Sequence, residues 1–378
     1  MSRLNTFLQG VRVLDVSAYI PGPLAGLLLS DMGADVIKVE PPAGDGMRDL
    51  GPRNEEGTPL FHAAVNAGKT IVRLDLKSAE GVETFRRLAA EADVLIEGFR
   101  PGVMDRLGVG YYDLKQDNPG LVYCALSGYG QAGPNAQEPG HDANYLAAAG
   151  VLHRNGRPPR FFDPPVTDVC SSLFAAIAIL GALYRRDTGD NDGAGAFIDL
   201  ALADTPMLLQ QFALTEFGAV GNSPEPDSTY LNGGAAYYRV YATADGRHIV
   251  LGAVEPKFWQ AFCEAAHQPG WVARHREPLP QTTLIAELDA YFAMFSAAEC
   301  IDRFGAKDCC VTLVSDLGEA IESPHHSVRN LLRLGPQHDL QTLFPAWIDG
   351  AAPAVRGPSK MTTAPAFAAR FETRRSTV

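Results

Sequence analysis

Val11-Arg12-Val13-Leu14-Asp15-Val16-Ser17, then Pro21-Gly22-Pro23 leading into Leu24 to Met32, then Asp35-Val36-Ile37-Lys38-Val39: this stretch decides the fold. The two valine-rich runs suit buried strands. The segment between them has the prolines and leucines of a helix start and body. The pattern then repeats. Thr70 to Leu76 reads as a third strand, Ser78 caps a helix through Glu91, and Asp93 to Glu97 and Leu121 to Leu126 follow as further strands. Strand–helix alternation with short connections predicts a mainly parallel sheet covered by helices. The first turn carries Pro-Gly-Pro rather than Gly-x-Gly-x-x-Gly, so the close backbone approach to a dinucleotide pyrophosphate is missing and a nicotinamide dehydrogenase is disfavoured.

Leu173 to Leu183 is apolar or glycine throughout and predicts a helix buried on all sides. Phe197 to Leu200 returns as a strand and Ala201 to Val220 as a helix. Residues 221–227, with two prolines, read as a linker. Beyond it, Ala236 to Tyr241 and His248 to Leu251 flank an Asp245-Gly246 turn, a hairpin signal. The reading divides the 378 residues into a large domain over 1–220, a small α+β domain over 228–320, and a segment 321–378 whose Pro-, Ala- and Gly-rich tail after Leu334 is expected to lie back across the first domain or a partner. No internal repeat is visible.

Composition narrows the function. A net charge of −12 disfavours nucleic acid as a partner, because phosphate binding needs a basic face. The six cysteines show no CxxC pair and no matching histidine spacing, which argues against zinc and a disulfide framework. No apolar run reaches the roughly 20 residues that cross a bilayer. The first residues lack a secretion-signal profile. A cytoplasmic protein without a metal or membrane partner is expected.

Two side chains stand out. His141, in Gly140-His141-Asp142-Ala143-Asn144-Tyr145, and Asp168, at the head of the apolar run, are suited to passing a proton across a carbon near neutral pH. Each also has a plainer reading. Asp168 could simply cap a helix, His141 could be a structural histidine, and Glu255 ahead of Pro256 is an ordinary helix start. Cations gather near predicted strand ends: Lys38, Lys69, Arg73, Lys77, Arg100 and Arg106. Such ends are where parallel sheets bind ligands.

Taken with Asp31-Met32-Gly33-Ala34-Asp35-Val36-Ile37-Lys38-Val39-Glu40-Pro41-Pro42, Glu97-Gly98-Phe99-Arg100-Pro101-Gly102, Ser127-Gly128-Tyr129-Gly130-Gln131 and Gly252-Ala253-Val254-Glu255-Pro256, the chain resembles the class III CoA-transferase (CaiB/BaiF) superfamily, in its α-methylacyl-CoA racemase branch. The resemblance implies a doubly wound, Rossmann-like large domain completed by the C-terminal segment, a small middle domain and an interlocked homodimer. It implies a coenzyme A thioester as substrate, with no prosthetic group. Leu74, Lys77, Arg106 and Leu107, and with them Lys38, would hold the adenine and phosphate end. His141 and Asp168 would be opposed proton carriers, Glu255 would orient the histidine, and Arg100 stands where racemases carry arginine. The implied activity is racemisation of 2-methyl-branched or otherwise α-substituted acyl-CoA through an enolate. The alternative is CoA transfer between carboxylic acids, with Asp168 as nucleophile forming an anhydride. Val169-Cys170-Ser171-Ser172 depart from the glycines the family carries after its aspartate, and side chains there would narrow the acyl pocket. Tyr145 and Tyr237-Tyr238 are candidates for the acyl end or for aromatic packing.

Overall fold

The computed structural model describes residues 2–189 and 192–363. The chain divides into two compact units: Met1–Leu146, Phe162–Leu208 and Ser323–Val378 form the first, and Ala147–Phe161 with Leu209–Glu322 the second. The second unit thus takes in 147–161 and 209–220, which the sequence reading assigned to the large domain.

In the first unit β1 (Arg12–Asp15), β2 (Asp35–Glu40), β3 (Thr70–Arg73), β4 (Val94–Glu97), β5 (Val122–Ser127) and β6 (Ala196–Ala201) are joined by crossovers into one sheet. The second unit holds β7 (Tyr238–Ala242), β8 (His248–Gly252) and β9 (Val311–Leu313). Back in the first unit come β10 (Leu332–Leu334), β11 (Leu340–Thr342) and β12 (Lys360–Thr362).

The large sheet runs β12-β3-β2-β1-β4-β5-β6, with every neighbouring pair parallel. Its core order, 3-2-1-4-5-6, is the doubly wound one, and the winding reverses between β1 and β4. Strand periodicity explains the two layers of helices. On β1, Val13 faces one core and Leu14 the other; Val36 and Ile37 divide the same way on β2, as do Val94 and Leu95 on β4. The helix Ala79–Ala90 covers the Leu14 face with Phe85 and Leu88. Pro21–Asp31 and Val166–Asp187 cover the Val13 face with Leu28, Leu29, Ala175 and Ile179. The returning segment contributes β12, which pairs with β3 through Lys360↔Thr70.

The helix Val166–Asp187 corrects one expectation. It is not buried all round, because Leu173, Ile177 and Tyr184 are 45%, 62% and 74% exposed along one stripe. Its 22 residues are also long and apolar enough to cross a membrane by length and composition. Its other face packs into the core of the first unit through Ala175, Ala176, Ile179 and Leu183.

In the second unit β7 and β8 form the expected antiparallel hairpin, with β9 added beside β8. Helices Pro256–Ala265, Thr282–Phe292 and Ala297–Phe304 close its core around Trp259, Phe262, Phe292 and Phe304. The region Ala201 to Val220, read as one helix, is broken at Gln210 into Thr205–Leu209 and Gln211–Val220.

Candidate active site

Doubly wound sheets bind ligands beyond the carboxyl ends of the strands, where the winding reverses. A cavity of about 170 Å³ lies there. It is lined by Ser17 to Tyr19 after β1, Gly98 after β4, Gly128 after β5, Pro21 and Gly22 at a helix start, and Gly140, His141, Tyr145 and Asp168. His141 and Asp168, separated in sequence by a helix and a loop, therefore face one cavity.

Local structure explains why they meet. His141 sits just before the helix Asp142–Ala148; its N–H is held by Asn144 Oδ1 at 3.0 Å, and its carbonyl accepts Asn144 N–H at 2.8 Å. Asp168 lies in the first turn of Val166–Asp187. The two starts are tied by Asp142, whose Oδ1 accepts the backbone N–H groups of Thr167 (2.6 Å) and Asp168 (3.2 Å). The plain capping reading thus applies to Asp142, and Asp168 keeps its carboxyl for the cavity. Burial, reinforced by the charge of Asp142, pushes the Asp168 carboxyl up to about 6. Proton exchange near neutral pH needs a group in that range.

Tyr145 lines the cavity and donates its hydroxyl to Gly140 O at 2.7 Å. Burial, with Asp168 and Tyr129 nearby, pushes its phenol up to about 12, so it stays protonated near neutral pH. Tyr237, by contrast, is packed in the core of the second unit. The departure after Asp168 is absorbed by the helix itself. Ser171 Oγ bonds Thr205 Oγ1 at 2.9 Å, Ser172 Oγ donates to Asp168 O at 2.8 Å, and both serines are buried. None of the four residues Val169 to Ser172 lines the cavity.

A second cavity of about 400 Å³, mostly apolar, adjoins the first through the shared residues Ser17, Ala18 and Tyr19. Leu74, Lys77 and Leu107, which the family resemblance assigns to the carrier end, line it together with Val39, Phe99 and Val103. Other expected residues lie elsewhere. Lys38 is fully buried behind the wall, ion-paired with Asp45 (3.2 Å) and Asp15 (3.7 Å) and bonded to Ser17 O. Arg106 is exposed on the short helix Val103–Arg106, and Arg100 is exposed in the turn before it; neither lines either cavity. Glu255 belongs to the second unit, where it is exposed and precedes the N1 proline of Pro256–Ala265. The residues that sequence reasoning passed over are Ser17, Ala18 and Tyr19. Their signal was positional only: they follow the strand at which the sheet reverses.

The chain belongs to CoA-transferase family III, whose model matches residues 8–365. It is 35% identical over 334 residues to the α-methylacyl-CoA racemase of Mus musculus, covering 85% of this chain and 81% of the relative. It is 32% identical over 338 residues to the acetyl-CoA:oxalate CoA-transferase of Acetobacter aceti, covering 86% and 85%. A crystal structure of a CaiB/BaiF family protein from Brucella suis superposes with a TM-score of 0.81 at 26% identity, over 96% of this chain and 99% of that one. Relatives of both chemistries are thus present at similar identity. The family handles CoA thioesters and its members are enzymes.

Proposed function

We propose that the protein racemises or epimerises 2-methyl-branched, or otherwise α-substituted, acyl-CoA thioesters. The observation that carries this reading is the pairing of His141 and Asp168 on one small cavity. A transferase needs a carboxylate nucleophile alone; two titratable groups of different type facing one space suit proton removal and return.

The proton beside a thioester carbonyl is weakly acidic, so its removal requires a nearby base and stabilisation of the enolate oxygen. Neutral His141 takes the proton from one face of the α-carbon, leaving an enolate and an imidazolium. Protonated Asp168 returns a proton to the opposite face and becomes a carboxylate. The reverse direction begins from the swapped protonation states. Because Asp142 already occupies the N–H groups of Thr167 and Asp168, the enolate donors would come from the helix start beside His141. The carrier nucleotide would lie in the adjoining apolar cavity, with Lys77 at its edge. The roles of Arg100 and Glu255, and assembly as a homodimer, rest on the family resemblance; the exposed stripe of Val166–Asp187 supports the last.

Incubation of a chiral 2-methylacyl-CoA in heavy water tests the reading. Deuterium should enter the α position without an acceptor acid, and His141→Ala should abolish exchange while retaining CoA binding. A requirement for an acceptor, with hydroxylamine trapping an acyl group on Asp168, would replace the reading by CoA transfer.

A further inference from the structure

Ser17, Ala18 and Tyr19 form the ridge that both cavities share, and a network of buried charges lies directly beneath it. Asp15 ends β1, Lys38 lies beside it within β2, and Lys69 precedes β3, and all three are essentially inaccessible to solvent. Asp15 Oδ1 accepts both the N–H (3.1 Å) and the hydroxyl of Ser17, and Lys38 Nζ donates to the Ser17 carbonyl. Every polar atom of Ser17 is therefore held from below. Lys69 anchors the other end of the network, bonding Asp15 Oδ2 (2.9 Å), Asn66 Oδ1 (3.0 Å) and the Pro23 carbonyl (2.7 Å) in the first turn of Pro21–Asp31.

The ridge is also pinned from its sides. A methyl group on Gly22 would sit 2.0 Å from Ser17 Oγ, so the helix start can approach only as glycine. Tyr19 has φ of 63°, a left-handed conformation that is costly for a tyrosine and persists only where the surroundings impose it. Its hydroxyl lies so near Gly46 on the other side of the carrier cavity that a methyl there would be 2.8 Å away. Asp45, the neighbour of Gly46, pairs with Lys38 and accepts the Tyr19 N–H at 3.4 Å.

Buried ion pairs are weak evidence of net stability, and here each charge holds a defined atom of the ridge or of the helix start. We propose that Lys38 is a positioning residue: by fixing the Ser17 carbonyl it sets the Ser17–Tyr19 ridge, over which the arm of the thioester passes from carrier cavity to proton carriers. This rests on the CoA-thioester reading above. The lysine would then act on the reacting end of the ligand without touching its phosphates.

The test separates the two ends of the ligand. Lys38→Met should lower kcat/KM for a 2-methylacyl-CoA roughly tenfold or more, mainly through kcat, while the Kd of adenosine 3′,5′-bisphosphate stays within about twofold of wild type. Gly22→Ala displaces the ridge from the opposite side without altering any charge and should give the same split. It decides the matter if Lys38→Met does not fold. Unchanged turnover in a folded Lys38→Met would overturn the proposal, as would a loss of nucleotide affinity as large as the loss of kcat, because the network would then serve the carrier end through Asp45 and not the reacting end. If the wild type transfers CoA and shows no α-proton exchange, the racemase reading fails, and turnover in the transfer assay then judges the ridge.

Discussion

Asp142, the residue after His141, accepts the backbone N–H of Asp168 at 3.2 Å, so the neighbour of one proposed proton carrier caps the helix that bears the other. Its charge is also the second cause, after burial, of the raised Asp168 carboxyl. Asp142→Asn keeps an oxygen to cap the helix and removes that charge. Ionisation of Asp168 then becomes easier, and its pKa should fall from about 6. The limb of the pH–rate profile that reports Asp168 should move to lower pH. Deuterium exchange measured against pH in wild type and variant checks this.

The same dyad makes a second demand. Racemisation has an equilibrium constant close to one at any pH, so kcat/KM for the two epimers must share one pH dependence. That dependence is the population of the dyad holding a single proton, whichever residue holds it. Profiles for the two epimers should superimpose as one bell. Coincidence follows from the equilibrium constant alone; the shape is the test, and a common profile with a single limb would exclude a shared-proton dyad.

The buried carboxyl of Asp168 costs stability near neutral pH. Its folded pKa lies at about 6, above the 3.8 of a free aspartate, so the folded chain binds the proton more tightly than the unfolded chain between those values. Stability from this group is complete below about pH 4 and declines as pH rises through about 6. Asp168→Asn should therefore be more stable than wild type at pH 7.5, by on the order of 1–3 kcal/mol. The gain should vanish near pH 4. Denaturant unfolding at the two pH values measures it, and the variant should show no α-proton exchange.

Lys77 and Arg106 were both expected to hold the carrier, yet only Lys77 borders the apolar cavity. Lys77→Ala should weaken CoA binding by roughly tenfold at low ionic strength, with the difference shrinking in about 0.5 M salt as the exposed charge is screened. Arg106→Ala should have the smaller effect. Titration calorimetry with CoA at two salt concentrations ranks them.

How far the sequence was legible depended on whether a property was local. The strands β1, β2, β4 and β5 were readable because burial on both faces demands continuous apolar runs. The helix Pro21–Asp31 was readable from its leucines, though it begins at Pro21 and not at Leu24, because a proline fits the first helical position. The three-residue β12 was not, since only its pairing with Thr70 to Val72 makes Lys360–Thr362 a strand. His141 and Asp168 were visible as residue types, but Asp142 as their link was not, because a cap from another segment leaves no spacing signature. Lys38 misled for a related reason: a lysine in β2 reads as a ligand for phosphate until Asp15 and Asp45 appear around it.

The apolar run after Asp168 was overread because hydrophobicity reports that a face needs covering, not what covers it. Leu173, Ile177 and Tyr184 lie at helical spacing and remain open to solvent in the single chain. The helix Gln211–Val220 of the second unit has no buried residue at all, and Phe212 is 78% exposed. Apolar surface on this scale marks association in most chains, and a second copy is the partner that the family resemblance implies. Ile177→Glu and Phe212→Glu each place a charge where that partner would bury it, at an expected cost of several kcal/mol per interface. Because both positions are open in the single chain, each unit should still fold. Sedimentation velocity should show wild type as a dimer and the double variant shifted toward monomer, with circular dichroism unchanged. A wild type that sediments as a monomer, or a double variant that stays dimeric, would mean that these faces serve something other than a second copy.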